Sequence, residues 1–556
     1  MNSQCLGHIF MGHGRAIHTP KYSGLFTLIA AITCGTGCQT IGTPITGSAG
    51  TTGTPPASSP QLVFQVQPGN AVAGAPIAPA IQVEVEDASG HVLSSETNTI
   101  SLSLASGTGL TGMLSATPVD GVATFSAVSI TVAGTYRLVA SGASLNAVDS
   151  QAFTISSAGP ENSELAVPAD SIVDSAGINV HLGFLDTPYV DFAQVQSGLQ
   201  ALGIRHIRDG LEPLSATWQG YFDEHNELGQ LGIKSLFITD VGQTADLFLS
   251  YPQLMSQCFE GYEGPNEYDN RGIMDWPAQL TSEISLLSAT VRGGTVSPQY
   301  PVYGPSLTNA ASFPILGDVH QDFDYGNMHN YLGGRNPGTN GWGAPDAEGN
   351  NYGSMAWQLD LLKIDSPGLP AVSTETGYNN DLSQQDSVPE AVSAVYLPRL
   401  LLQQWLYGIK RTYLYELISE EGQDYGLFRG DWSAKPGFYA VSNLLHLLAD
   451  PGPAFQPASL NYAIQGGDTN LHHLLMQKRD GSFYLALWLE ESSYDPNSAT
   501  VTAVTPEAVS LQLPSGYEVT ENLWDATGSV TQSTSTAGTP VPLTVTEKLL
   551  VLKITP

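Results

Sequence analysis

Two glutamates at the ends of apolar runs carry the chemistry open to this chain: Glu267, in Gly264-Pro265-Asn266-Glu267, and Glu375, in Ser373-Thr374-Glu375-Thr376-Gly377. Two carboxyls can divide the work of breaking a glycosidic bond. One holds a proton for the departing sugar oxygen while the other stays ionised to attack or stabilise the anomeric carbon, so the reaction needs a pair. An Asn-Glu dipeptide alone says little. These two glutamates gain weight because each falls at the same point of a strand-loop-helix unit, in a segment that repeats such units.

That segment begins near residue 160, where short apolar runs start to alternate with amphipathic stretches. Candidate strands occupy 177–183, 204–209, 233–240, 259–267, 302–307, 326–332, 371–376 and 411–417, and candidate helices 192–202, 277–291, 354–364, 389–407 and 436–448. Eight strands alternating with helices over roughly 280 residues predict a (β/α)8 (TIM) barrel at 170–450, with its active site at the carboxyl ends of the strands. Glu267 and Glu375 then end the fourth and seventh.

The flanks read differently. Residues 61–158 show period-two alternation, as in Ile81-Gln82-Val83-Glu84-Val85-Glu86, broken by turns such as Asp87-Ala88-Ser89-Gly90, which predicts an all-β sandwich. Leu62-Val63-Phe64, Gly121-Val122-Ala123-Thr124-Phe125 and Ala133-Gly134-Thr135-Tyr136 resemble the immunoglobulin-like modules of bacterial surface proteins, which act as spacers. Strand-like runs return in 451–556, predicting a C-terminal β-sandwich packed on the barrel and completed by 160–173. Residues 1–38 read as an export signal, with Arg15 and Lys21 before the apolar stretch 25–32. Cys38 is positioned for the lipid of a bacterial lipoprotein; lipidation, with membrane attachment, and plain secretion both remain open. Residues 39–60 form a Gly/Ser/Thr/Pro linker. Of four cysteines, Cys258 is expected as a buried thiol, and no disulfide framework is implied.

Nineteen basic against 52 acidic residues give 19 − 52 = −33, a charge that repels nucleic acid and anionic membrane surfaces. Only 13% of residues are charged, which suits an exported protein acting on neutral polymers. No phosphate-binding loop or zinc-ligand spacing stands out, so neither a cofactor nor a metal is expected, and Ser419-Glu420-Glu421 reads as a solvated loop.

On Asn266-Glu267 after strand four and Glu375 after strand seven, the stretch 174–450 resembles the clan A glycoside hydrolases, a group of retaining barrel enzymes that includes families 5, 30 and 39. The resemblance implies Glu267 as acid/base, Glu375 as nucleophile, and Asn266 as a ligand of the sugar 2-hydroxyl. It further implies a nucleophile contact from Arg208, near the end of strand two, and from one of His329 and Tyr331, which alternation sends to the same side. His181, after strand one, either binds a sugar hydroxyl or is an interior histidine. Tyr413-Leu414-Tyr415-Glu416-Leu417 departs from the clan, which often presents a tryptophan there; Tyr415 or Glu416 stands in for it, with Trp342 and Trp432 offering stacking faces. The implied protein is a monomeric, extracellular glycosidase acting on a carbohydrate, endo-acting in preference to exo-acting. The competing reading is a surface protein that keeps the barrel only to bind glycans.

Overall fold

The computed structural model describes residues 60–132, 134–156, 162–293, 299–420, 422–514, 516–536 and 540–556. The export signal, Cys38 and almost all of the linker lie outside the described residues. The chain divides into two compact units, Met1–Pro160 and Glu161–Pro556.

The described part of the first unit is built from strands. Gln61–Val66 lies between Ile81–Glu86 and Leu145–Asp149 in a seven-stranded sheet, and Phe153–Ser156 lies between Ala71–Val72 and Gly134–Tyr136 in a second sheet. The alternation seen in the sequence has a direct packing cause. Ile81, Val83 and Val85 are fully buried, while Gln82, Glu84 and Glu86 between them face outward.

The second unit holds an eight-stranded parallel sheet: β1 (Ala176–Asn179), β2 (His206–Gly210), β3 (Lys234–Ile238), β4 (Phe259–Glu263), β5 (Val302–Tyr303), β6 (Gly326–His329), β7 (Ala371–Thr376) and β8 (Thr412–Leu414). The strands follow in order round the sheet, with β8 pairing β1, and Tyr303 and Tyr325 bridge β5 towards β6, so the sheet curls into a nearly closed barrel. Helices intervene: α1 (Phe192–Leu202), α2 (Gln219–Gln230), α3 (Ala245–Leu254), α4 (Trp276–Arg292), the short α5 (Ser312–Leu316), α6 (Met355–Asp365), α7 (Glu390–Leu406) and α8 (Pro436–Leu448). Asp191, Thr244 and Ser354 cap α1, α3 and α6 by accepting a first-turn N–H, and Gly203 ends α1 in the left-handed region at φ 81°. Register places Asn179 beside Arg208 and His329 beside Glu375. All the strands but β7 are shorter than expected: β4 stops at Glu263, so Glu267 stands in the loop beyond it.

Two sheets, antiparallel apart from one short parallel edge strand, pack beside the barrel. Leu471–Gln477, Phe483–Leu489, Leu550–Thr555, Glu518–Trp524 and Val530–Thr536 run in sequence across one, with Val167–Pro168 at its edge; Ser459–Gln465, Glu507–Gln512 and Val541–Val545 form the other, with Asn162–Leu165 at its edge. All seven residues of Phe483–Leu489 are buried because both faces are covered. Leu485, Leu487 and Leu489 fill the core between the sheets, whereas Tyr484, Ala486 and Trp488 join the core of the barrel and its helices. Arg399 of α7 pairs with Glu490 at 2.5 Å and anchors the two layers.

Candidate active site

The carboxyl ends of the strands converge on Arg208. It is 1% exposed, and its five donors are spent on named partners. Nε and Nη2 donate to the two oxygens of Glu263 at 2.6 and 2.8 Å, Nη1 donates to Glu375 Oε1 at 2.7 Å and Asn179 Oδ1 at 2.8 Å, and Nη2 reaches Asn266 Oδ1 at 2.6 Å. Burial works against its charge, but Glu263 and Glu375 outweigh that and hold its pKa above the ordinary value.

Glu375 lies on β7 and is 9% exposed. Beyond Arg208 it accepts a hydrogen bond from Tyr331 at 3.0 Å through Oε2, with His329 Nδ1 3.5 Å away. Burial first, and then the Glu375 charge, push the Tyr331 phenol well above its usual range, so it remains a donor. Glu267 is the more open of the two, its side chain 29% exposed against 12% for Glu375. Its backbone sits in the left-handed region at φ 46°, which for a non-glycine residue is a strained placement held by its surroundings. Ser306 accepts its backbone N–H at 3.2 Å, and His329 Nδ1 lies 2.8 Å from its Oε1. Burial opposes charge on His329, yet the two glutamates prevail and raise its pKa. One oxygen from each glutamate falls within a 4.8 Å group that also includes a nitrogen of His329.

Three residues of this assembly were not singled out in the sequence. Glu263, fully buried, takes donors from Asn327 and Thr374, each at 3.0 Å, besides both from Arg208. Asn179 bonds Arg208 and donates to the Thr374 and Leu414 carbonyls at 3.0 and 3.2 Å, tying β1 to β7 and β8. Tyr425, from the loop after β8, packs edge-on against Tyr331 and Tyr415 with ring centres 5.4 and 5.7 Å away. Glu263 and Asn179 lie inside longer expected runs, 259–267 and 177–183, and only the structure shows that the strands close on them.

The remaining candidates separate. His181 and Glu416, just beyond the neighbouring strands β1 and β8, stand 3.4 Å apart, and Tyr415 stands 5.7 Å from the His181 ring. Burial raises the Glu416 carboxyl, and on His181 the pull of Glu416 overcomes burial and raises the imidazole as well. Trp342 is 39% exposed, with Arg335 stacked 4.3 Å over its ring and Tyr352 against its edge. Trp432 packs on Phe428, with ring centres 5.6 Å apart, and near Gly198 of α1, which makes it part of the packing behind the barrel.

No family model matches the chain, and no curated protein does. Solved structures similar to it include a GH39 enzyme from Xanthomonas axonopodis pv. citri, at 14% identity over 70% of this chain and 96% of that one with a TM-score of 0.47. A monomeric β-xylosidase from Caulobacter crescentus gives 14% identity, 70% and 98% coverage and a TM-score of 0.47, and an endo-β1,6-glucanase gives 12%, 68% and 91%, and 0.40. What the site does chemically rests on its own side chains.

Proposed function

We propose that the chain is a retaining β-glycoside hydrolase working by double displacement, with Glu375 as nucleophile and Glu267 as acid/base. The observation that carries this reading is the unequal setting of two neighbouring carboxyls. Glu375 is buried and held in place by hydrogen bonds from Arg208 at 2.7 Å and Tyr331 at 3.0 Å, whereas Glu267 is the more open and meets only His329 through its side chain. Because Glu263 already takes two of the Arg208 hydrogen bonds, Glu375 is oriented by that cation without monopolising it.

In the first step an oxygen of Glu375 attacks the anomeric carbon. The bond to the leaving oxygen breaks, and that oxygen takes the Glu267 proton. With Oε1 of Glu267 engaged by His329, the transfer falls to Oε2. In the second step Glu267 removes a proton from water, whose oxygen attacks the anomeric carbon and frees Glu375. Oxygens within 4.8 Å of each other suit the retaining arrangement, in which the carboxyl groups stand about 5 to 5.5 Å apart, and leave little room for the extra water of an inverting one. With its oxygen held by Arg208, Asn266 has its amide hydrogens left to donate to a sugar hydroxyl.

The same reading makes the N-terminal strands an immunoglobulin-like spacer, the protein exported and either secreted or lipid-anchored at the bacterial surface, and its substrate a polysaccharide attacked internally. Reducing-sugar release from β-glucans, xylans and mannans tests it. The native chain should release sugar from one class, Glu267→Gln should lose about 100- to 10,000-fold, and Glu375→Ala should be inactive. Release that persists in both variants would remove these glutamates from the mechanism.

A further inference from the structure

Glu416 presents an unmet need. It is 1% exposed, and neither of its carboxylate oxygens has a hydrogen-bond partner. The atoms facing it lack hydrogen bonds as well: His181 Nε2, paired with Glu416 only at ion-pair distance, and Glu420 Oε1 are both buried without one. A carboxylate taken out of water without donors is costly, and native structures satisfy almost every such group with protein, water or an ion.

The geometry indicates what is missing. One ligand atom each from His181, Glu416 and Glu420 lies within 4.8 Å of the others, and His181 Nε2 stands 3.4 Å from Glu416 Oε2. That nitrogen-oxygen pair lacks hydrogen-bond geometry, yet its spacing has another meaning. Two ligands each about 2.1 Å from one ion at a tetrahedral angle stand about 3.4 Å apart. Two other groups in the described chain show similar spacing and serve as controls. In the first, Glu267, His329 and Glu375 are already engaged by Arg208, Tyr331 and each other. In the second, Asp346, Glu348 and Asp360, Asp346 and Asp360 accept from Asn350, and Asp360 also pairs with Lys363; Asp346 Oδ2 is buried without a partner, but its other oxygen is engaged. Among the described residues, only the group around Glu416 combines ligand spacing with a buried carboxylate neither of whose oxygens has a donor.

We propose that His181, Glu416 and Glu420 bind a divalent transition-metal cation, zinc being the best match to one imidazole and two carboxylates. Calcium and magnesium favour all-oxygen shells, and a thiophilic ion would want cysteine. Three protein ligands leave a coordination position for water or another oxygen ligand. The ion would lie beside Tyr415, which reaches the Glu375 hydrogen-bonding partner Tyr331 through Tyr425, so it would border the reaction centre without joining the acid pair. This replaces the solvated-loop reading of Glu420, and it stands whether or not the protein is a glycosidase, because binding the ion needs no sugar.

The test is calorimetric titration of zinc chloride into the chelator-stripped full chain, run alongside Glu416→Gln, His181→Gln, Glu267→Gln and Asp346→Asn. The glutamines keep side-chain size, and Glu416→Gln removes a buried charge, so loss of binding is separable from loss of folding by the melting curve of each variant. The native chain should bind one zinc, and Glu416→Gln and His181→Gln should each weaken that site by at least about 100-fold, while Glu267→Gln and Asp346→Asn leave it intact. Zinc should also raise the melting temperature of the native chain but not of Glu416→Gln. Absence of a stoichiometric site, or a site untouched by Glu416→Gln and His181→Gln, overturns the proposal.

Discussion

Removing the buried cation at the centre of the site should destabilise the protein by an amount the geometry sets. Arg208 and Glu263 are 1% and 0% exposed and joined by two hydrogen bonds of 2.6 and 2.8 Å. Breaking a buried pair by deleting one partner costs about 3–5 kcal/mol, because the other charge stays buried. Asn327 and Thr374 still donate to Glu263 after Arg208→Met, each at 3.0 Å, which argues for the lower end. Glu375 loses a 2.7 Å donor in the same variant, which argues for the upper end, so about 4 kcal/mol is expected. Glu263→Leu strands Arg208 instead and should cost about 3 kcal/mol. The double variant buries neither charge of the pair and should be no less stable than Arg208→Met alone, although it stays inactive because Glu375 still lacks its donor. Urea unfolding followed by tryptophan fluorescence reads this as a midpoint lowered by about 1 M in each single variant, for a slope of roughly 3 kcal/mol per M. Equal losses that simply add in the double variant, or single losses under about 1 kcal/mol, would refute the argument.

Tyr331→Phe keeps the ring against Tyr425 but removes the 3.0 Å bond to Glu375, and should lower kcat about 10- to 100-fold, measured by steady-state kinetics, with a loss of stability of about 1–3 kcal/mol seen in urea unfolding. Glu490→Gln weakens the anchor to Arg399, Asn336, Gly338 and Trp488, and should lower the melting temperature measured by calorimetry. Asp365, 2% exposed, has its carboxyl pushed up to about 7 by burial. Its folded pKa exceeds the unfolded one, so its contribution is fully present below about pH 4 and is lost as the pH rises through 7; Asp365→Asn should therefore melt higher than the native chain at pH 8, the gap closing by pH 4.

The barrel strands were legible because a parallel strand covered on both faces is an apolar run, and each of the eight lies within or beside its expected run. Three of the eight named helices were not, the shortest being Ser312–Leu316. Gln219–Gln230 is largely polar and buries only Tyr221, Phe222, His225 and Leu228, and Ala245–Leu254 carries Pro252 within it, a residue that argues against a helix in sequence. In the site, alternation could not choose between His329 and Tyr331, and the structure gives each its own carboxylate: His329 meets Glu267 and Tyr331 meets Glu375. Glu263 went unread because nothing local separates a buried ion-pair partner from an acid capping a strand; its meaning comes from Arg208, 55 residues earlier. Tyr425 lies in an irregular loop with no periodicity to mark its direction.

The central claim is that Glu375 attacks the anomeric carbon, and the most direct test is product analysis of Glu375→Ala supplied with an activated aryl β-glycoside of the substrate sugar and sodium azide. With the nucleophile gone, azide takes its place on that face of the ring. The account predicts a glycosyl azide of inverted, α configuration, formed at a rate that depends on azide. A β-glycosyl azide, or unchanged hydrolysis with no azide adduct, would contradict it.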